Sequence, residues 1–339
     1  MKRILTVYPN CSLGGMATVY MNRCRLNRDV QFDFIFTYDK GAKSAYENIY
    51  NADVRIVRKD RLNNFLINNV KNIKYNAVYV TSFPQLTQLD IWKDVKLIYE
   101  FHTSSVPILE KELKELNFSA IHEINVPSEW LKNVILGLLS NNKTTIKVVE
   151  NIVDTNIFNA IVNHSKHFYF DENTIPIFWV GRFDKGKNYK DFFRLLSLLP
   201  QHYCGVMVLG LESDPVRFSE ALSEMNTYHL NGRIQFLLNL YPVELATLYK
   251  DSFSNQGIFC STSLQESFGY GVLEAALCGL PVVTYEVGGI SGHKKYGLAI
   301  HFVDVGDTIE MSHVIQSIQW RNDFEQNVLY SKKYMERLK

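Results

Sequence analysis

Short apolar runs separated by polar, Gly- or Asn-containing segments recur along this 339-residue chain. RILTVYP (3–9), QFDFIFTY (31–38), ADVRIV (52–57), NAVYVTS (76–82) and KLIYEFH (96–102) have the length and composition of buried strands. RLNNFLINNVKN (61–72) and SEWLKNVILGLL (128–139), which fall between such runs, have helical periodicity. The alternation resumes with IPIFWVG (175–181), CGVMVLG (204–210), RIQFLL (233–238), GIFCSTS (257–263) and PVVTY (281–285), and Pro242 with Glu244 signals a helix start. Alternating strand and helix patterns predict an α/β fold with mostly parallel sheets, whose ligands sit beyond the carboxyl ends of the strands. The length suits two domains, 1–160 and 174–318, each able to bury a core. Residues 159–173 (NAIVNHSKHFYFDEN) lack periodicity and read as the linker, and 319–339 reads as a closing helix.

Composition narrows the class. Apolar residues make up 46% and charged residues 21%, and 36 basic against 35 acidic residues give a net charge of +1, which offers no case for nucleic-acid binding. The first 160 residues carry 20 basic and 16 acidic residues, a small excess compatible with an anionic acceptor or membrane surface. Arg55, Arg58, Lys59 and Arg61 cluster within it and read chiefly as a solvated face. Cys11, Cys24, Cys204, Cys260 and Cys278 form an odd set with no C-x-x-C pair, against both a disulfide framework and a structural zinc site. The opening MKRILTVYP has too short an apolar run for a secretory signal, and no stretch reaches the roughly 20 apolar residues of a membrane span. The expectation is a cytoplasmic protein whose membrane contact, if any, is peripheral.

Candidate chemistry concentrates in residues 257–289, GIFCSTSLQESFGYGVLEAALCGLPVVTYEVGG. An apolar strand, a Gly-punctuated loop and a helix start present backbone N–H groups to an anion. Eight residues separate Glu266 from Glu274, about 80° past two full turns. The two side chains therefore do not align on one helix, and the expectation is Glu266 in the loop and Glu274 in the first helical turn. Either Glu alone reads as a complement to a helix dipole; the joint pattern is what points to a site. Upstream, GRFDKGKN places Arg182 and Lys187 after a strand that ends at Gly181, a bidentate fork and a mobile point charge suited to a diphosphate, with Lys185 as a competing cation.

QESFGYGVLEAALCGLPVV resembles the Glu-x7-Glu signature of retaining glycosyltransferase family 4, and the spacing of Arg182 and Lys187 matches that family's diphosphate-binding pair. EFHTS puts His102 where the family commonly has a histidine close to the transferred sugar, and Gly14–Gly15 corresponds to a loop over the donor diphosphate. IKVVENIVDTNIF (146–158) departs from the family's usual Pro-Asn-Gly-Val-Asp passage, with Glu150 and Ile152 in place of Pro and Gly.

The resemblance implies a GT-B fold: two facing Rossmann-like domains with the active site in the cleft between them and a C-terminal helix crossing back to the first domain. It implies a retaining glycosyltransferase moving a sugar from a nucleoside diphosphate sugar to a glycan, lipid-linked or polymer acceptor, with bacterial surface polysaccharide synthesis as the expected setting. Arg182, Lys187, Glu266 and His102 would be the catalytic set. Gly14, Gly15, Gly181, Leu240, Phe268, Gly269, Tyr270, Gly271, Val272 and Glu274 would bind the donor, Leu240 near the base and Glu274 at the ribose. No cofactor and no metal is implied, and the chain has no Asp-x-Asp motif. The alternatives are a nucleotide-sugar epimerase of the same fold and a non-catalytic nucleotide-sugar-binding partner of another transferase.

Overall fold

A strand in the middle of a parallel sheet must bury both its faces, and Lys2–Cys11 does so: Leu5 and Val7 point to one core while Thr6 is buried on the other side. The computed structural model describes residues 2–12, 14–139, 144–161, 168, 170–210 and 215–337. Part of the expected linker (162–167 and 169), residues 211–214 and the last two of the residues expected to form the closing helix (338–339) lie outside them. The chain divides into two units, Met1–Asp154 and Thr155–Lys339.

In the first unit, β1 (Lys2–Cys11), β2 (Val30–Asp39), β3 (Ala52–Ile56), β4 (Ala77–Thr81), β5 (Lys96–Glu100), β6 (Glu123–Val126) and β7 (Ile146–Val148) form a seven-stranded sheet of order β3-β2-β1-β4-β5-β6-β7. Its pairings are parallel throughout. The helices are α1 (Gly15–Leu26), α2 (Lys43–Tyr46), α3 (Leu62–Asn72), α4 (Val106–Glu115) and α5 (Glu129–Leu138). One face of the sheet packs Leu5, Val7, Val78, Val80, Leu97 and Tyr99 against Leu109 of α4 and Leu131 of α5. An aromatic cluster forms elsewhere in the unit, where Phe34 and Phe36 of β2 meet Tyr20 of α1 and Tyr46 of α2. Each large side chain removed from water in these layers contributes about 1.5–3 kcal/mol. The basic run is a solvated face: Arg55 pairs with Asp53 and Arg58 with Asp60.

The second unit repeats the design. β8 (Ile175–Gly181), β9 (Tyr203–Leu209), β10 (Ile234–Leu238), β11 (Ile258–Ser261), β12 (Val282–Tyr285) and β13 (Ile300–Val303) make a six-stranded parallel sheet of order β10-β9-β8-β11-β12-β13. Its helices are α6 (Tyr189–Leu198), α7 (Pro215–Thr227), α8 (Pro242–Asp251), α9 (Tyr270–Leu277), α10 (Thr308–Ser317) and α11 (Trp320–Arg337). α8 starts where Pro242 and Glu244 predict, with the Tyr241 N–H donating to Glu244 at 2.7 Å. α11 lies on this unit: the Trp320 indole donates to the Gly257 carbonyl, and Asn327 accepts from the Ala299 N–H and donates to the Leu280 carbonyl. Both units are Rossmann-like. In each, the strand order reverses beside the first strand, at β1/β4 and at β8/β11, which is where such sheets bind ligands.

Candidate functional site

In the second unit the switch point brings the loop after β8 beside the loop after β11. The two are stitched by backbone and side chain: the Leu264 N–H donates to the Gly186 carbonyl at 2.8 Å, and the Thr262 hydroxyl donates to the Asn188 carbonyl at 2.9 Å. The Trp179 indole donates in turn to Thr262 at 3.1 Å, tying the strand floor to the same hydroxyl. Asn188 closes the first loop with a left-handed backbone, φ 50°.

Within this frame the Lys187 ammonium pairs with the Glu266 carboxylate. Gly181 makes room for the lysine, since a Cβ there would stand 2.8 Å from the Trp179 ring and 3.2 Å from Lys187 Cγ. Ser263 donates to Glu266 Oε1 at 2.9 Å. Asp184 accepts from the Lys187 N–H at 2.8 Å, and its other oxygen is 3.2 Å from Arg182. Asp184 thus contacts both the Lys187 backbone and the Arg182 guanidinium. Lys185 is exposed, so it is Lys187 that the fold delivers to Glu266.

The loop Glu266–Gly269 is supported from behind. A Cβ on Gly288 would fall 2.1 Å from the Glu266 carbonyl oxygen, and one on Gly289 would fall 2.1 Å from that of Ser267. Only bare backbone fits, and the Gly289 N–H donates to the Glu266 carbonyl at 2.8 Å. His293 is buried against Phe268 with ring centroids 4.9 Å apart, and its Nε2 lies 3.4 Å from the Gly269 carbonyl oxygen. Burial pushes that imidazole down to about 4, against the pull of the Gly269 and Phe268 backbone, so the ring is neutral at ordinary pH.

α9 begins at Tyr270, capped by Gly269 at φ 85°. Glu274 is therefore one turn further along than expected: it stands in the second turn and is buried, because the Gly-rich stretch 269–272 itself starts the helix. Burial pushes the Glu274 carboxyl up to about 7, with the Lys187 ammonium pulling the other way. Gly271 leaves 3.3 Å between a would-be Cβ and the Phe259 ring, and the side chains of Val272 and Phe268 are buried. Leu240 follows β10, which lies two strands away from β8 in the sheet.

In the first unit, Gly14 caps α1 with extended backbone and Gly15 is the helix's first residue, just past β1. His102 lies two residues past β5, its side chain only 9% exposed.

Asp184, Ser263, Asn188 and His293 were not singled out from the sequence. Asp184 lies inside GRFDKGKN and was open to notice; Ser263 and His293 act through contacts that no local spacing displays. Among the described residues no group of His, Cys, Asp and Glu has the arrangement of a metal site, and no helix is long and apolar enough to cross a membrane.

Residues 163–312 match the family model described as glycosyl transferases group 1. Over 242 residues the chain is 24% identical to N-acetyl-alpha-D-glucosaminyl L-malate synthase of Bacillus anthracis, covering 69% of this chain and 61% of that protein. Over 173 residues it is 28% identical to a probable sucrose-phosphate synthase of Thermosipho melanesiensis, covering 50% and 40%. The alignments thus span less than two thirds of these relatives. Among solved structures, Anabaena HepE in complex with UDP-glucose superposes with a TM-score of 0.81 at 16% identity, over 100% of this chain and 96% of that one. Sucrose-phosphate synthase from Thermosynechococcus elongatus gives 0.76 at 16% identity, over 100% and 94%. At such identity the likeness is one of fold. Residues 163–312 are thus similar to glycosyl transferases group 1, and the chain shares its fold with the solved Anabaena and Thermosynechococcus structures.

Proposed function

We propose that the chain is a retaining glycosyltransferase that takes its sugar from a nucleoside diphosphate sugar. The observation that carries this reading is the Lys187–Glu266 ion pair at the carboxyl ends of β8 and β11, with Glu274 buried in the second turn of α9 and within electrostatic reach of Lys187. UDP-sugars are the first donors to try, since the Anabaena neighbour is described with UDP-glucose. Lys187 and Arg182 neutralise charge developing on the leaving diphosphate, an electrostatic role that can dominate catalysis. When the diphosphate draws Lys187 to itself, Glu266 is released to accept from sugar hydroxyls. Glu274, with its carboxyl raised to about 7, can both donate to and accept from ribose hydroxyls. Phe268–Val272 offers backbone N–H groups at the start of α9.

The first unit takes the acceptor in this reading, a glycan, lipid-linked or polymeric hydroxyl of bacterial surface polysaccharide, at the cytoplasmic side. His102 meets a substrate hydroxyl, and Gly14–Gly15 leaves backbone open to a phosphate. No metal or cofactor takes part, the charge work falling to Arg182 and Lys187.

The test is a panel of nucleotide sugars with and without candidate acceptors, following nucleotide release and the anomeric configuration of the product by NMR. One donor consumed only with acceptor, with configuration retained and no loss in EDTA, supports the reading. Turnover of a donor without acceptor would instead show an epimerase, and an inverted product or EDTA-sensitive transfer would contradict the mechanism.

A further inference from the structure

β5 ends at Glu100, whose carboxylate is fully buried. Arg23 of α1 grips both its oxygens, Nη1 donating to Oε2 at 3.0 Å and Nη2 to Oε1 at 2.7 Å. The same guanidinium lies over the Tyr79 ring of β4, 5.5 Å from its centroid. A planar fork engaged at both ends and stacked on a ring has one geometry available to it. Burial acts to raise the Glu100 carboxyl, yet Arg23 and His102 together outweigh it and hold the group down at about 2. The groups facing this carboxylate are Arg23 and Tyr20 from α1, Tyr79 from β4, and His102 from the chain beyond β5.

His102 brings its Nε2 to 3.9 Å from Glu100 Oε2, within ion-pair reach and too far for a hydrogen bond. Both of its ring nitrogens are buried without a hydrogen-bond partner among the described residues. Orphaned polar atoms of this kind need an explanation, and a ligand that supplies the missing partner is one. The ring's Nε2 lies beside a carboxylate that Arg23 keeps fixed, while Nδ1 has no hydrogen-bond partner among the described residues. A carboxylate behind an imidazole selects the tautomer and orients the ring.

We propose that Glu100, clamped by Arg23, is a positioning residue that keeps the proton of His102 on Nε2 and turns Nδ1 to the substrate. The inference rests on the transferase reading for what Nδ1 meets, and not for the tautomer itself. Two variants of the full chain test it. Glu100→Gln leaves the Arg23 charge buried without its partner and risks unfolding. Arg23→Met combined with Glu100→Gln removes both charges together, which costs far less.

The first readout is ¹⁵N NMR of the His102 imidazole, which needs no substrate. Wild type is expected to show the Nε2–H tautomer, and the folded double variant to lose that preference. The second is kinetics with the donor identified by the panel: kcat falls roughly 10- to 100-fold while the donor KM hardly moves. Glu100→Asp, which keeps the charge, recovers part of the loss. A proton on Nδ1 in wild type, or an unchanged His102 spectrum in the double variant, overturns the proposal; should neither variant fold, the wild-type tautomer alone decides. The expected tautomer change in a protein that transfers no sugar supports the positioning role and sinks only the transferase reading.

Discussion

Lys187 and Glu266 stand 79 positions apart in the chain, and the fold sets the ammonium of one on a carboxylate oxygen of the other. The side chains are 30% and 17% exposed, so a ligand can reach between them. This pair joins the cation after β8 to the loop after β11 at the reversal of strand order.

Removing either partner is expected to cost activity rather than fold. Lys187→Ala and Glu266→Ala should each lower kcat by about 10²–10³, with thermal unfolding close to wild type because the pair is partly solvated. Lys187→Arg should recover little, since its planar fork does not reproduce a point charge at this position. Steady-state kinetics on the purified variants checks this.

The glycines behind the loop offer a sharper structural contrast. Gly288→Ala and Gly289→Ala place a methyl 2.1 Å from a carbonyl oxygen of the Glu266–Ser267 backbone, so the loop must move. Gly292→Ala meets nothing within 4 Å. The first two should lose donor binding and about 1–3 kcal/mol of stability, and the third should behave as wild type in calorimetric titration and denaturant unfolding.

Glu274 gives stability a pH dependence of defined sign. Its carboxyl is raised from 4.5 to about 7 by burial, so the unfolded chain loses the proton first as pH rises. Stability therefore falls across that window, by roughly 3 kcal/mol in all. Glu274→Gln should remove this fall, matching wild type near pH 4 and exceeding it near pH 8 in denaturant titrations.

His293 works in the opposite direction. Burial lowers it from 6.5 to about 4, so the unfolded chain takes up a proton first as pH falls through that range. Stability is then lost toward acid. His293→Asn should flatten the acid limb while losing the contact with Phe268, which pH-dependent unfolding of the variant would reveal.

Much of the architecture was legible because burial on both faces leaves a strong mark: continuous apolar runs such as IPIFWVG predicted parallel strands, and β8 is one. The Gly-rich loop and Glu266 were legible as a strand-end constellation. Glu274 stands a turn beyond its expected place because Gly269 and Gly271 look like loop residues, whereas Gly269 serves as the cap at positive φ and Gly271 lies within the helix against the Phe259 ring. Which lysine meets Glu266 depends on the path of the loop around Asn188, a left-handed residue without a glycine to announce it. Ser263 and His293 belong to the site through contacts three and 24 positions away that only the folded loops create. The Arg23–Glu100 clamp spans 77 positions and was equally silent in sequence.

The most direct test of the central claim is calorimetric titration of wild type, Arg182→Ala and Lys187→Ala with UDP and the other nucleoside diphosphates. Wild type should bind one of them, and each variant should bind it at least about tenfold more weakly. Equal affinity in all three proteins, or no nucleotide bound by wild type, would contradict the assignment of this site to a diphosphate.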